Sequence, residues 1–238
     1  MCNAGVLFVH GIQGSPSQFD FLLRRLPDSV KVNNLRLPGH GETIREFRNS
    51  GSAQWLPAVK DAVQEMKGRC DRLYFVGHSM GCLLGLLTEN ELPGIFSGML
   101  LLCCPFFVQP TLRYLRNNTM AVLPERKDES PYVHALRKAN SVSAQFAGEY
   151  LTAVNPYREL FRLIRLTKQI PGKPECEVCF FFSEKDEIVS RKSAAYAKEK
   201  YGPEVEMLRL CGHDYFTPKA EAVIGQRLQE LISAARLG

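Results

Sequence analysis

The chain has no apolar run approaching the roughly 20 residues that span a bilayer. Its N-terminus, MCNAGVLFVHG, lacks the basic segment and long apolar stretch of a secretory leader. A membrane-spanning protein is therefore not expected, and a cytoplasmic location is. Long basic tracts are also missing. The net charge of +5 is modest, and the lysines and arginines are not interleaved with aromatics, which argues against nucleic acid as a partner. There is no internal repeat and no low-complexity segment.

Histidine is scarce, with five residues and no H-x-H or H-x-x-x-H pair. Cys176 and Cys179 have zinc-like spacing, but they lie in the strand-like ECEVCFFF, and no second such pair exists. Neither a metal nor another cofactor is expected. The cysteines lie mostly inside apolar runs, as at Cys82, Cys103, Cys104 and Cys179, where a reduced thiol acts as a small hydrophobe. They read as free thiols rather than a disulfide framework.

What is present is a large hydrophobic fraction, 45% of 238 residues, enough for one large α/β domain or two small ones. Short β-branched and aromatic runs alternate with amphipathic stretches, the pattern of a parallel sheet covered by helices on both faces. Six strands are predicted, at 6–10, 30–35, 73–77, 99–104, 177–182 and 204–210. SPSQFDFLLRRL offers Ser15 as N-cap with Pro16 at the first helical position. SAQWLPAVKDAVQEMK places Trp55, Val59, Val63 and Met66 on one face, and a last helix runs from about Pro218 to Ala234.

From Pro105 to Gly172 no strand is predicted, so residues 1–104 and 173–238 form a core interrupted by a helical insert at 105–172. The insert holds ten Lys or Arg against five Asp or Glu, which accounts for the whole surplus of +5. Within it, NPYRELFRLIRLTKQI predicts a helix with Asn155 as N-cap. Tyr157, Leu160, Phe161 and Ile164 fall along one face, and Arg158, Arg162 and Arg165 along another. A core-facing stripe with a solvated basic face is the preferred reading. The sharper one is a lid whose apolar side faces an acyl chain and whose arginines meet acidic or headgroup-like material.

LYFVGHSMGCLLGLL places a serine where a buried strand turns into a buried helix, and GHSMG fits G-x-S-x-G. A nucleophile on so sharp a turn needs glycine two residues before and after it, here Gly77 and Gly81. The five-residue pattern alone is weak, and the flanking strand and helix strengthen it. Serine needs a base, and the base an orienting acid. His213, in LRLCGHDYF, follows the last strand. Asp186, in FFFSEKDEIVS, follows the strand before it, with Glu184 and Glu187 as rivals. A packed loop histidine and an acidic surface turn are the plainer readings of each alone. Joint occurrence after separate strands, in the order Ser, Asp, His, favours a site at Ser79, Asp186 and His213. The turn in LFVHGIQG and the helix after Ser79 can aim the N–H groups of Ile12 and Met80 at a substrate oxygen. His40, in RLPGHGET, reads as a loop-shaping residue.

Through LFVHGIQG, RLPGHGET, VGHSMG, FFSEKDEIVS and CGHDYF, in order, the chain resembles the α/β-hydrolase superfamily, and within it compact carboxylesterases and monoacylglycerol-lipase-like serine hydrolases. The resemblance implies Ser79 as nucleophile, Asp186 as acid, His213 as base, Ile12 and Met80 as oxyanion donors, and the insert from Pro105 as a cap over the pocket. Two departures stand out. Set against the family, the first two strands of the full fold are expected to be absent ahead of LFVHG, which implies a smaller, all-parallel sheet. Ser183 also stands three residues before the acid, where glycine is commoner.

The expected activity is cleavage of carboxylic esters with a short to medium acyl or monoacylglycerol-like chain, through an acyl-enzyme. The expected partner is a small ester with an apolar acyl group. From apolar content and cap position, Phe106, Phe107, Leu112, Tyr114, Leu115 and Phe146 are expected to line the pocket. The same triad would also serve a thioesterase, a peptidase or a carbon–carbon hydrolase, and the same fold a non-catalytic small-molecule receptor.

Overall fold

Six strands form in the computed structural model, which describes residues 2–144 and 147–234. They are β1 (Cys2–Val9), β2 (Lys31–Leu35), β3 (Cys70–His78), β4 (Gly98–Leu102), β5 (Glu177–Ser183) and β6 (Val205–Leu208). The helices are α1 (Asp20–Leu23), α2 (Ile44–Arg48), α3 (Ser52–Lys67), α4 (Met80–Glu91), α5 (Leu112–Val122), α6 (Pro131–Ala139), α7 (Val154–Gln169), α8 (Lys192–Tyr201) and α9 (Pro218–Ala234).

The strands make one sheet in the order β2-β1-β3-β4-β5-β6, and every pairing is parallel. Because side chains alternate along a strand, Leu7, Val9, Phe75, Leu101 and Phe180 point to one face, where they meet α3, α4, α7 and α8. Val6, Phe8, Val76, Leu100 and Phe181 point to the other, where they meet α1 and α9. Both faces are covered, which is why the strands read as continuous apolar runs.

The order reverses at β1. The chain leaves β1 for β2 on one side and then crosses to β3 on the other. Open parallel sheets place ligands at such a reversal, outside the carboxyl ends of the strands. The turn after β1 and the turn after β3 therefore face each other there.

Several local expectations need correction. Asn155 is not a cap, because α7 starts at Val154 behind Ala153, and the Asn155 amide instead donates to the Ser50 carbonyl at 3.1 Å. Ser15 is the N-cap residue and Pro16 the first helical position, as expected, but the helix breaks into a 3-10 turn (Pro16–Phe19) and the short α1. Ser15 Oγ bonds Ser17 Oγ at 2.6 Å and caps no amide. Cys70 is disulfide-bonded rather than free. It opens β3. Cys82, Cys103, Cys104, Cys176, Cys179 and Cys211 are free thiols.

Between β4 and β5, α5 and α6 pack on each other, whereas α7 lies against α4. Leu160, Leu163 and Ile164 of α7 are buried in the same cluster as Leu83 and Phe180. The helix behind the basic pattern is thus fixed to the sheet layer. No helix among the described residues is long and apolar enough to cross a membrane.

Candidate active site

Ser79 occupies the turn between β3 and α4 with φ 50° and ψ −118°, a conformation that L-residues rarely adopt. Its backbone N–H donates to the Leu102 carbonyl at 2.8 Å, which anchors the turn to β4. The flanking glycines are required by space. A Cβ on Gly77 would lie 2.8 Å from the Cys82 nitrogen, and one on Gly81 would fall on the Val9 carbonyl oxygen. This close approach sets the start of α4 against the end of β1.

Ser79 Oγ lies 3.0 Å from His213 Nε2, and His213 Nδ1 lies 3.0 and 3.2 Å from the two Asp186 carboxylate oxygens. Asp186 Oδ1 also accepts the N–H groups of Ile188 (2.8 Å) and Val189 (2.7 Å). Burial alone would raise the Asp186 carboxyl, but the His213 imidazole and these two amides outweigh it and hold the group below its usual range. For His213, burial alone would lower the value, but the charge and hydrogen bond of Asp186 prevail and raise it well above an ordinary histidine.

Glu187, a rival for the acid role, does not touch the imidazole. Its Oε2 accepts the His213 backbone N–H at 2.9 Å. Its other oxygen faces two side chains of α5, with Asn117 Nδ2 at 3.3 Å and Arg113 Nε at 3.6 Å. Burial is the main cause that raises this carboxyl. Glu184 accepts the Leu210 N–H at 3.4 Å instead. Ser183 ends β5 without a positive φ, so glycine is not needed there.

The remaining histidines are structural or exposed. His78 is buried, its Nε2 donates to the His213 carbonyl at 2.9 Å, and burial lowers its pKa to about 3. His10 is pushed to about 3 and His40 to about 4, in both cases mainly by burial. His10 bonds the Gly11 carbonyl and the Leu37 N–H, tying the turn after β1 to the loop after β2. His40 packs on Phe47 and Trp55 within that loop. His134 is exposed beside Glu125.

The turn after β1 is held from both sides. Gly14 N–H donates to the Gly11 carbonyl at 3.0 Å, and Gly11 N–H donates to Gln18 Oε1 at 3.1 Å. Gln18 Nε2 in turn donates to Asp214 at 2.8 Å. Ser141 bonds the carbonyls of Gln13 and Gly14 from the far side. Ile12 faces the cavity from this turn. Met80 is the first residue of α4, so its N–H has no carbonyl within its own helix.

A cavity of about 220 Å³ opens over Ser79 and His213. Its walls are mainly apolar, including Ile12, Val108, Leu136, Leu160, Phe161 and Ile188. Of the six residues expected to line it, Tyr114 does so. Phe106 is instead buried beneath it against Phe180 and Tyr196, and Phe107 packs on Tyr196 and Lys168. Leu112 and Leu115 point outward, 85% and 57% exposed, because the inner face of α5 is that of Tyr114, Asn118 and Ala121. Phe146 lies outside the described residues. Tyr157, Leu160 and Phe161, on the stripe offered as facing an acyl chain, also line the cavity, whereas sequence reasoning missed Gln18 and Asp214 as wall residues. Asp214 had a signal in its position directly after His213, whereas Gln18 had none.

The sequence profile of the alpha/beta hydrolase family matches residues 6–226. A thermostable monoacylglycerol lipase of Bacillus sp. (strain H-257) is 30% identical over 92 residues. That match covers 38% of this chain and only 37% of the relative's length. Solved structures overlay along nearly the whole chain. One, described with the metagenome-derived lipolytic enzymes LipS and LipT, has a TM-score of 0.71 at 20% identity and covers 96% of this chain and 93% of its own. A monoacylglycerol lipase of Paleococcus ferrophilus has a TM-score of 0.69 at 12% identity, over 96% and 94% of the two chains. A meta-cleavage product hydrolase from Pseudomonas fluorescens IP01 has a TM-score of 0.66 at 15% identity, over 98% and 92%. At these identities the overlays speak for the fold alone.

Proposed function

The chain belongs to the alpha/beta hydrolase family, and from that premise we propose that it is a serine esterase acting on carboxylic esters with an apolar acyl group. The observation that carries this reading is the hydrogen-bonded line from Ser79 through His213 to Asp186 at the floor of a mainly apolar cavity. Ser79 Oγ attacks the ester carbonyl while His213 Nε2 takes its proton, and Asp186 holds the imidazole and stabilises its charged form. The Ile12 and Met80 N–H groups receive the oxyanion, each worth on the order of 3 kcal/mol. The imidazolium gives its proton to the leaving alcohol as the carbon–oxygen bond breaks. Water then repeats the sequence on the acyl-Ser79 and releases the acid.

In this reading the helical segment 105–172 is the cap, with α5, α6 and α7 forming the roof over the acyl group. The six free thiols fit the cytoplasmic location expected from the sequence, whereas the disulfide at Cys70 speaks against it. The preference for a short to medium acyl or monoacylglycerol-like ester rests on the apolar walls and on the partial likeness to the Bacillus lipase.

A panel of aryl esters of rising chain length, run beside acyl thioesters, aminoacyl arylamides and a meta-cleavage diketone, tests the bond and the acyl group. Esters are expected to be turned over fastest, with no turnover in Ser79→Ala. Faster cleavage of one of the other classes would reassign the bond. Tight ligand binding without turnover, unchanged in His213→Ala, would make the protein a receptor.

A further inference from the structure

The apolar side of α7 is spent on the core and the cavity, but its outer side is not. With about 3.6 residues per turn, Val154, Arg158, Phe161, Arg162 and Arg165 fall within an arc of about 100° on the exposed face. Val154 is 58% and Phe161 54% exposed, and Phe161 also lines the cavity, so this face reaches its mouth. Arg162 pairs with Glu159 at 3.7 Å, whereas Arg158 and Arg165 have no ion-pair partner among the described residues.

The surrounding segment repeats this mixture. Residues 105–172 hold the entire formal surplus of +5 and, among the described residues, seven of the ten exposed large hydrophobic side chains, in less than a third of the chain. A solvated face would need the charges but not the exposed valine and phenylalanine between them. A second copy of this chain would set two rows of arginines against each other. A surface that accepts both apolar side chains and cations is a bilayer rich in anionic headgroups.

We propose that the outer face of α7 docks on anionic lipid bilayers and sets the mouth of the cavity, at Phe161, against the membrane. Because α7 is packed on α4, the surface is fixed, and docking requires no opening of α5 and α6. This inference does not depend on the chemistry at Ser79.

The test is co-sedimentation of the full chain with vesicles of phosphatidylcholine alone or mixed with phosphatidylglycerol. Binding is expected only to the mixed vesicles and is expected to weaken with added salt. The double variant Arg158→Glu and Arg165→Glu should lose roughly thirtyfold or more of the partition coefficient, at about a decade and a half for two cations near such a surface. Its turnover of a water-soluble aryl ester should be unchanged, which reports folding. Val154→Ser should weaken partition several-fold by the apolar route, and a control pair, Arg24→Glu and Arg48→Glu, should not. Equal binding to both vesicle types, or binding to neither, overturns the proposal. So does a loss in the control pair equal to that in the α7 pair, which would assign the effect to net charge. Tighter binding of an acidic polypeptide or DNA than of mixed vesicles, lost in the α7 pair, overturns the lipid assignment. If the double variant lacks turnover, Val154→Ser and the salt titration of the wild type decide.

Discussion

The His213 imidazole sets how activity should depend on pH. General-base catalysis needs the neutral ring, and Asp186 raises the pKa of that ring well above an ordinary histidine value. Activity should therefore fall as pH drops through the raised value, so the acid limb of kcat/KM should lie above the roughly 6.5 of an unperturbed histidine. Asp186→Asn removes the raising charge. It is expected to move the limb to lower pH and to reduce kcat by roughly 10,000-fold, as measured by initial rates on an aryl ester across pH. An unmoved limb in that variant would detach the titration from His213. At this scale the sequence was informative where an atom must be present and less so where an atom must be near. That Ser79, Asp186 and His213 come within hydrogen-bonding reach of one another could be expected because each follows a strand and the glycines bracket the serine. Glu187 could be seen as an acid but not as a backbone acceptor, since the direction of a side chain in a turn is set by packing from other elements. Leu112 and Leu115 were misplaced for the same reason: apolar content does not tell which face of α5 is inner.

Elements hold these residues in place, and their contacts can be broken one at a time. Glu187 joins α5 to the loop that carries His213, through Arg113 and Asn117 on one side and the His213 N–H on the other. Glu187→Ala leaves that buried N–H without its acceptor and is expected to lower kcat roughly tenfold with little change in KM. Glu187→Gln, which keeps an acceptor, should recover most of the loss. A fall in KM-linked binding alone would make Glu187 a support of the cavity wall rather than a positioning residue for His213. Gly81→Ala tests the approach of α4 to β1. The added methyl meets the Val9 carbonyl, and urea unfolding should show a loss of about 3 kcal/mol. The strand positions, the long helix α3 and the close helix after Ser79 were legible because their periodicity is strong over many residues. The start of α7 was not, because Asn155 followed by Pro156 looks like a cap, whereas Asn155 is used in a tertiary bond to Ser50. The disulfide at Cys70 was hidden as well, since a cysteine beside an apolar run reads equally as a buried thiol.

The whole molecule brings a reversed sheet order and a small cavity lined by residues of α5, α6 and α7 to one edge. If that cavity holds the acyl chain, its volume should limit chain length. Ala139, a buried wall residue, offers a direct probe. Ala139→Phe should reduce kcat/KM for an octanoate ester more than tenfold while leaving an acetate ester within about threefold, since only the longer chain needs the filled space. An equal loss on both would show that the acyl chain lies elsewhere. The all-parallel sheet could be read from the alternation of runs, whereas the double contact of α7, with the cavity and with the core layer, could not be read from one helical stripe. The central claim is that Ser79 forms a covalent intermediate, and the most direct measurement is intact-mass and peptide mapping after reaction with a fluorophosphonate. The account predicts a single adduct on Ser79 that is lost in Ser79→Ala and slowed in His213→Ala. An unmodified, folded wild type, or the same adduct in Ser79→Ala, would contradict it.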